Sequence, residues 1–277
     1  MLVLAFAAGA SACGERSAST AIDGGLDGSI DRPPFDGGPD SSSTVFDPLR
    51  VLQVEVELAP QDWDVLRGEG RQLNTLMGGC ADPAFAYTYF ESAVTVDGVR
   101  LERAGVRKKG FLGSLSVVRP SIKINFGRFV DGQRLAGITK RLTLNNNRQD
   151  PSNARQCLSY ALFREAGVAA PRCSLARVVV NGQDLGTYSN VEPIKKDFLA
   201  RNFGDDSGNL YEGQISDFRP GFVETFQVKT NEAQNDKSDL LALTRALGAS
   251  DGELVAALEE VLDLDAFISF WATEVLV

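Results

Sequence analysis

The strongest pattern along the chain is a set of period-two alternations separated by turn residues. In "LRVLQVEVEL" the apolar positions Leu52, Val54, Val56 and Leu58 alternate with solvent-type positions, which predicts a strand with one face on a core. "APQDWDVLRG" follows as a short helix with Pro60 in its first turn. "FESAVTVDGVRLERAGVRKKG" predicts two strands turned at Asp97-Gly98. In "SIKINF" Ile122, Ile124 and Phe126 oppose Ser121, Lys123 and Asn125, so Lys123 points away from the apolar side. "KRLTLNNN" predicts another strand, ending in polar residues.

The period then changes. "DPSNARQCLSYALFREAG" has helical spacing, with Asp150 as N-cap, Pro151 at the first position, Gly167 as terminator, and Ala154, Leu158, Ala161, Leu162 and Ala166 as the inward face. "SLARVVVNGQDLGTYSNVE" predicts a hairpin turned at Asn181-Gly182, "PIKKDFLARNFG" a helix and "GNLYEG" a strand. From Ser238 onward "SDLLALTRALG" and "SDGELVAALEEVLDLDAFISFWATEVLV" are helical. One helix among mostly antiparallel strands and hairpins, followed by C-terminal helices, is an α+β pattern without internal repeat.

Residues 46–277 form the expected domain. Residues 14–45, rich in Gly, Ser, Asp and Pro and lacking apolar period, predict a disordered tether. Residues 1–13 are apolar through Ala12 and too few to cross a bilayer, which needs roughly 20. Small residues before Cys13 resemble the signal of a bacterial lipoprotein, with Cys13 as the acylated residue; the absent cationic n-region suggests that Met1 is not the natural start. The expected location is therefore the bacterial cell envelope, with membrane contact only through the lipid. At the other end, an apolar helix stopping at Val277 without a polar cap, Gly or Pro suggests a domain truncated at its C-terminus.

Composition narrows the chemistry. The 277 residues include no histidine, which removes imidazole bases, Ser-His-Asp sites and His-ligated zinc. The net charge of -9 argues against a nucleic-acid partner. In an oxidising compartment two of Cys80, Cys157 and Cys173 can pair, although burial as a small hydrophobe explains Cys157 equally well. Against the acidic background, residues 107–129 carry Arg107, Lys108, Lys109, Arg119, Lys123 and Arg128 with no acid among them. This is either solvated strand surface or a place kept for a small anion, with Gly110, Gly113, Ser114 and Ser116 offering a donor-rich turn. Asn145, Asn146 and Asn147 read first as loop residues that satisfy backbone groups, with Arg155 open as an anion contact. Glu192, just before Pro193, serves either a ligand or the following helix.

The ordered succession of "KG", "S-x-K", "LNNN", "DPS", "LF.EAGV.APR", "V.VNG..LG.Y" and "GNLYEG" resembles the spore coat protein H (CotH) kinase family over roughly residues 50–275. The resemblance implies an atypical protein kinase-like fold that uses ATP and Mg2+ to phosphorylate secreted or envelope proteins. It further implies that Lys123 is the catalytic lysine on the nucleotide phosphates, with Arg107 and Lys109 beside it and Glu192 near the adenine. The family's metal-binding acids would lie beyond Val277, so the chain alone is expected to be inactive. The competing expectation is a non-catalytic surface lipoprotein with a structural, coat-assembly or adhesion role.

Overall fold

The computed structural model describes residues 45–70, 86–110, 114–213 and 216–277. Cys13, Cys80, Gly113 and the proposed signal and tether through residue 44 lie outside the described residues. At Val45, the first described residue, the side chain is buried and the carbonyl accepts from Ser174 Oγ and Asn190 Nδ2.

The predicted strands are present and close on themselves. They are β1 (Val51–Glu57), β2 (Phe90–Val96), β3 (Val99–Lys109), β4 (Ser121–Asn125), β5 (Arg141–Asn145), β6 (Cys173–Val180) and β7 (Gln183–Val191). The sheet order is β1-β2-β3-β4-β5-β7-β6, and a parallel pairing of β1 with β6 completes the barrel. The other contacts around the ring are antiparallel. The alternating apolar residues point inward: Leu52, Val54, Ile122, Ile124, Leu142 and Val178 are fully enclosed and share one core. Helix α1 (Pro60–Gly68) contributes Trp63 and Leu66 to that core.

Both hairpin predictions hold. Asp97 and Gly98 have φ of 47° and 83°, and Asn181 and Gly182 have 49° and 79°, the doubly left-handed geometry that suits Asp-Gly and Asn-Gly turns. Each turn's polar side chain also ties the loop to β1 or its end: Asp97 Oδ1 accepts from Gln53 N at 2.8 Å, and Asn181 Oδ1 from Leu58 N at 3.0 Å.

The inserted helix α2 (Arg155–Glu165) departs from expectation twice. It begins five residues after Asp150, because Asp150 accepts from Ser152 N, Ser152 Oγ and Arg155 N across a turn in which Asn153 has φ 58°. It is also rotated. Leu158 and Leu162, assigned to the core from spacing, are 61% and 53% exposed, whereas Phe163 is buried. A disulfide between Cys157 and Cys173 pins the helix to β6, which turns Gln156, Tyr160 and Phe163 inward instead. Closing a loop of this 16-residue separation typically stabilises a fold by about 3 kcal/mol.

After the barrel come α3 (Lys196–Phe203), a short ribbon of β8 (Tyr211–Glu212) and β9 (Gln227–Val228), then α4 (Ser238–Ala246), α5 (Leu254–Glu259) and α6 (Leu264–Leu276). Gly204 closes α3 with φ 70°. Tyr211, Val223, Phe226, Leu240 and Leu243 form a second core under this lobe. Asp263 caps α6, its Oδ1 accepting from Ala266 N at 2.9 Å. Phe270 of α6 lies 5.4 Å from Phe163 of α2, ring centre to ring centre. No described helix is long and apolar enough to cross a membrane.

The α+β class holds, with six α-helices among the described residues. The resemblance did not carry a closed barrel, and a closed barrel does not by itself define a kinase-like fold.

Candidate anion site on the outer face of the barrel

The alternation that fills the barrel divides the cationic run. On β3, Val106 and Lys108 share the inward phase, while Arg107 and Lys109 point outward. Lys108 is 2% exposed, and its Nζ donates to Arg67 O at 2.6 Å and Glu69 O at 2.5 Å, the carbonyls that end α1. A cation there satisfies orphan carbonyls and the negative end of the helix dipole. Arg119 donates to Thr187 O and lies 4.9 Å over the Tyr188 ring. Arg128 lies 5.1 Å over Tyr89. Three of the six cations therefore have roles outside the outward cluster.

The remaining three converge. Strand register sets Arg107 beside Lys123 and Lys123 beside Thr143 in one row. The adjacent row contains Lys109, Ser121, Asn145 and Ser189. Lys109 Nζ donates to Asn145 Oδ1, and Asn145 Nδ2 donates to Gln156 Oε1 at 2.7 Å. Arg107 is held between tyrosines, 5.2 Å from the Tyr89 ring centre and 6.0 Å from that of Tyr87, and its buried Nε has no hydrogen-bond partner. Lys123 makes no ion pair among the described residues.

The C-terminal lobe and the segment before α3 bring further charges near this face. Glu212 on β8 pairs with Lys229 at 2.7 Å, and Lys195 donates to Lys229 O at 3.0 Å. Burial pushes the Lys109 ammonium down to about 7, helped by the charges of Lys123 and Arg107. Burial likewise lowers Lys123 to about 8, with Arg107 adding to the fall and Glu212 opposing it. Burial pushes the Glu212 carboxyl up, but the hydrogen bond and charge of Lys229, with Lys123 and Lys195, outweigh it and hold the group below its ordinary value. Cations are in excess over carboxylates on a half-buried face, which favours an anion with several charged oxygens.

Glu192 is placed elsewhere. It is 3% exposed, and its two oxygens meet Arg172 at 2.8 Å and Arg201 at 2.5 Å. Arg172 N also donates to it at 3.0 Å. The carboxylate is thus occupied by protein groups that join β6, β7 and α3, and it is not among the groups that converge on Lys109 and Lys123. Of the asparagines, Asn146 is structural, donating to Ser114 O and Arg119 O, and Asn147 accepts from Ser189 Oγ. Ser116 Oγ accepts from Arg119 N within the turn. Arg155 is exposed, and its amide is already taken by Asp150.

Sequence reasoning did not single out Asn145 as a lysine partner, nor Gln156, Lys195, Glu212 and Lys229. For Glu212 a signal existed in "GNLYEG", quoted as a motif without a role for its acid. For Asn145 the strand phase shared with Thr143 was the available sign.

The fold and site define an α+β barrel domain whose outer face carries a cluster of half-buried cations that make no ion pair among the described residues. By its sequence the chain belongs to the CotH kinase protein family, whose model matches residues 106–277, a span that includes every member of the cluster. It is also similar to an inner spore coat protein H-like protein of Bacillus subtilis (strain 168), 31% identical over 104 residues. Those residues are 34% of this chain and 32% of the relative, so the aligned part spans about a third of that protein's length.

Proposed function

We propose that the outer face of β3 and β4 binds the polyphosphate of a nucleoside triphosphate, and that the domain serves an ATP-dependent, kinase-like transfer of phosphate to secreted or envelope proteins. The observation that carries this reading is the convergence of three half-buried cations, Lys109, Lys123 and Arg107, on one face of the barrel, with the nearby acid Glu212 already paired to Lys229. Burying like charges costs stability unless a ligand compensates them. In this reading Lys123 and Lys109 hold phosphate oxygens, and Arg107 adds a planar donor fixed by two tyrosine faces.

ATP would supply the transferable phosphoryl group, and the donor set suits its charge. A Mg2+ ion is a different matter: no group of three acidic side chains suited to a metal occurs among the described residues, so no step here is routed through one. Glu192 in this account braces the fold and does not touch adenine. The accompanying proposal is that the protein is exported and anchored to the bacterial envelope through a lipid on Cys13, with a protein substrate, no nucleic-acid partner and no other membrane contact.

The pairing of Glu212 with Lys229 favours a second reading, since it leaves this acid unavailable to activate an acceptor hydroxyl. A surface lipoprotein with a structural, coat-assembly or adhesion role, binding an anionic ligand without transferring phosphate, fits that feature. Calorimetric titration with ATP, with and without Mg2+, tests the site. Binding that disappears in Lys123→Ala supports it, and no binding by the wild-type chain removes it. A phosphotransfer assay with radiolabelled ATP then separates the two readings.

A further inference from the structure

Lys109 is oriented through a short relay that ends at the disulfide. Asn145 uses both ends of its amide, accepting from Lys109 Nζ and donating to Gln156 Oε1 at 2.7 Å, so its orientation is fixed. The residue after Gln156, Cys157, is bonded to Cys173, which lies opposite Val191 in the sheet row that contains Thr143, Lys123 and Arg107.

Besides the bridge, α2 is held by Phe163 against Phe270, by Arg164 donating to Pro171 O at 2.5 Å and by Asn145 donating to Gln156. Its one buried residue is Phe163, while Leu158 and Leu162 face outward. A helix with so few apolar contacts is prone to local opening once a covalent tie is lost. We infer that the Cys157–Cys173 bridge, acting through Gln156 and Asn145, is a positioning device for Lys109, and that its redox state sets how tightly the cationic face holds a polyphosphate. This rests on the anion-site reading above. Reduction by a dithiol breaks the Sγ–Sγ bond: two electrons and two protons pass to the sulfurs, both cysteines leave as thiols, and the reductant ends as its cyclic disulfide.

The charged groups around Lys109 are Arg107 on its own strand, Lys123 on β4 and Glu212 on β8. Asn145 Oδ1 is the acceptor that favours the charged ammonium among them. Its displacement therefore matters most where Lys109 is part-deprotonated, and least in acid, where the ammonium is formed in any case.

The test titrates inorganic tripolyphosphate into the oxidised chain and into the chain treated with dithiothreitol, by calorimetry on either side of the Lys109 value of about 7. Reduction is expected to weaken binding about tenfold on the alkaline side and much less on the acid side. Gln156→Ala should reproduce the loss with the bridge intact, and in Lys109→Met the oxidised and reduced forms should bind alike. Equal affinity of the oxidised and reduced wild-type chains overturns the relay but leaves the anion site standing. No binding by the oxidised chain removes the anion-site reading, and the relay with it. If reduction unfolds the chain, as circular dichroism would reveal, Gln156→Ala decides: unchanged affinity there overturns the inference.

Discussion

Two charged clusters in this molecule contain arginine or lysine around a buried or half-buried glutamate, and they are built on opposite principles. Around Glu192, two guanidiniums and a backbone amide meet one enclosed carboxylate, and hydrogen bonds link the ions directly. Around Lys109 and Lys123 the neighbouring charges are mostly of like sign, Arg107 Nε has no partner among the described residues, and the shared acid Glu212 is bonded to Lys229. The first cluster is complete and belongs to the fold. The second is short of negative charge, which is what the proposed polyphosphate would supply.

The largest effect that sharpens this contrast is on stability. Glu192→Ala leaves Arg172 and Arg201 without their carboxylate, and breaking a buried pair in this way should cost roughly 3–5 kcal/mol. Urea unfolding measures it, and a loss below about 1 kcal/mol would class the Glu192 cluster with exposed pairs instead. Lys123→Met should behave in the opposite sense. Stability should hold or rise because a half-buried charge among like charges is gone, while affinity for ATP falls roughly tenfold to a hundredfold. A variant that melts early yet binds normally would invert the comparison.

Smaller effects separate neighbours within one strand. Lys108→Met should cost about 1–2 kcal/mol, because the carbonyls of Arg67 and Glu69 lose their donor, with ATP affinity unchanged. The slightest is a pH effect. Lys109 has a folded value of about 7, below its unfolded one, so below that value the lysine is charged in both states and its burial cost is complete. As pH rises toward the unfolded value, the folded chain gives up a proton that the unfolded chain keeps, and stability rises. Melting temperatures of wild type should therefore gain on those of Lys109→Met between about pH 7 and pH 10. A flat difference would show Lys109 to be an ordinary surface lysine.

Much of this was legible in single segments. The phase of "SIKINF" gave the direction of Lys123, and the two Gly-containing turns fixed their hairpins, because both depend on residues within a few positions of each other. Closure of the barrel was not legible, since it depends on β1 pairing with β6 more than a hundred residues later. The rotation of α2 was set by a bridge whose partner could not be chosen from sequence, and this overrode the apolar spacing of Leu158 and Leu162. Glu192 was left between a ligand and the following helix, because its arginine partners, one before it in sequence and one after, belong to other segments. Lys195, Glu212 and Lys229 reach the lysine face from a different lobe, so no local pattern joined them to Lys123.

The inward position of Lys108 has a consequence for how the strand is read during folding. A slip of β3 by one residue against β4 would drive Arg107 and Lys109 into the apolar interior and carry Val106 and Lys108 out to water. Two desolvated charges and two abandoned helix carbonyls make that misalignment self-rejecting. The middle letter of "RKK" thus works as a reading-frame mark, keeping the outer pair on the only side of the wall where they can be used.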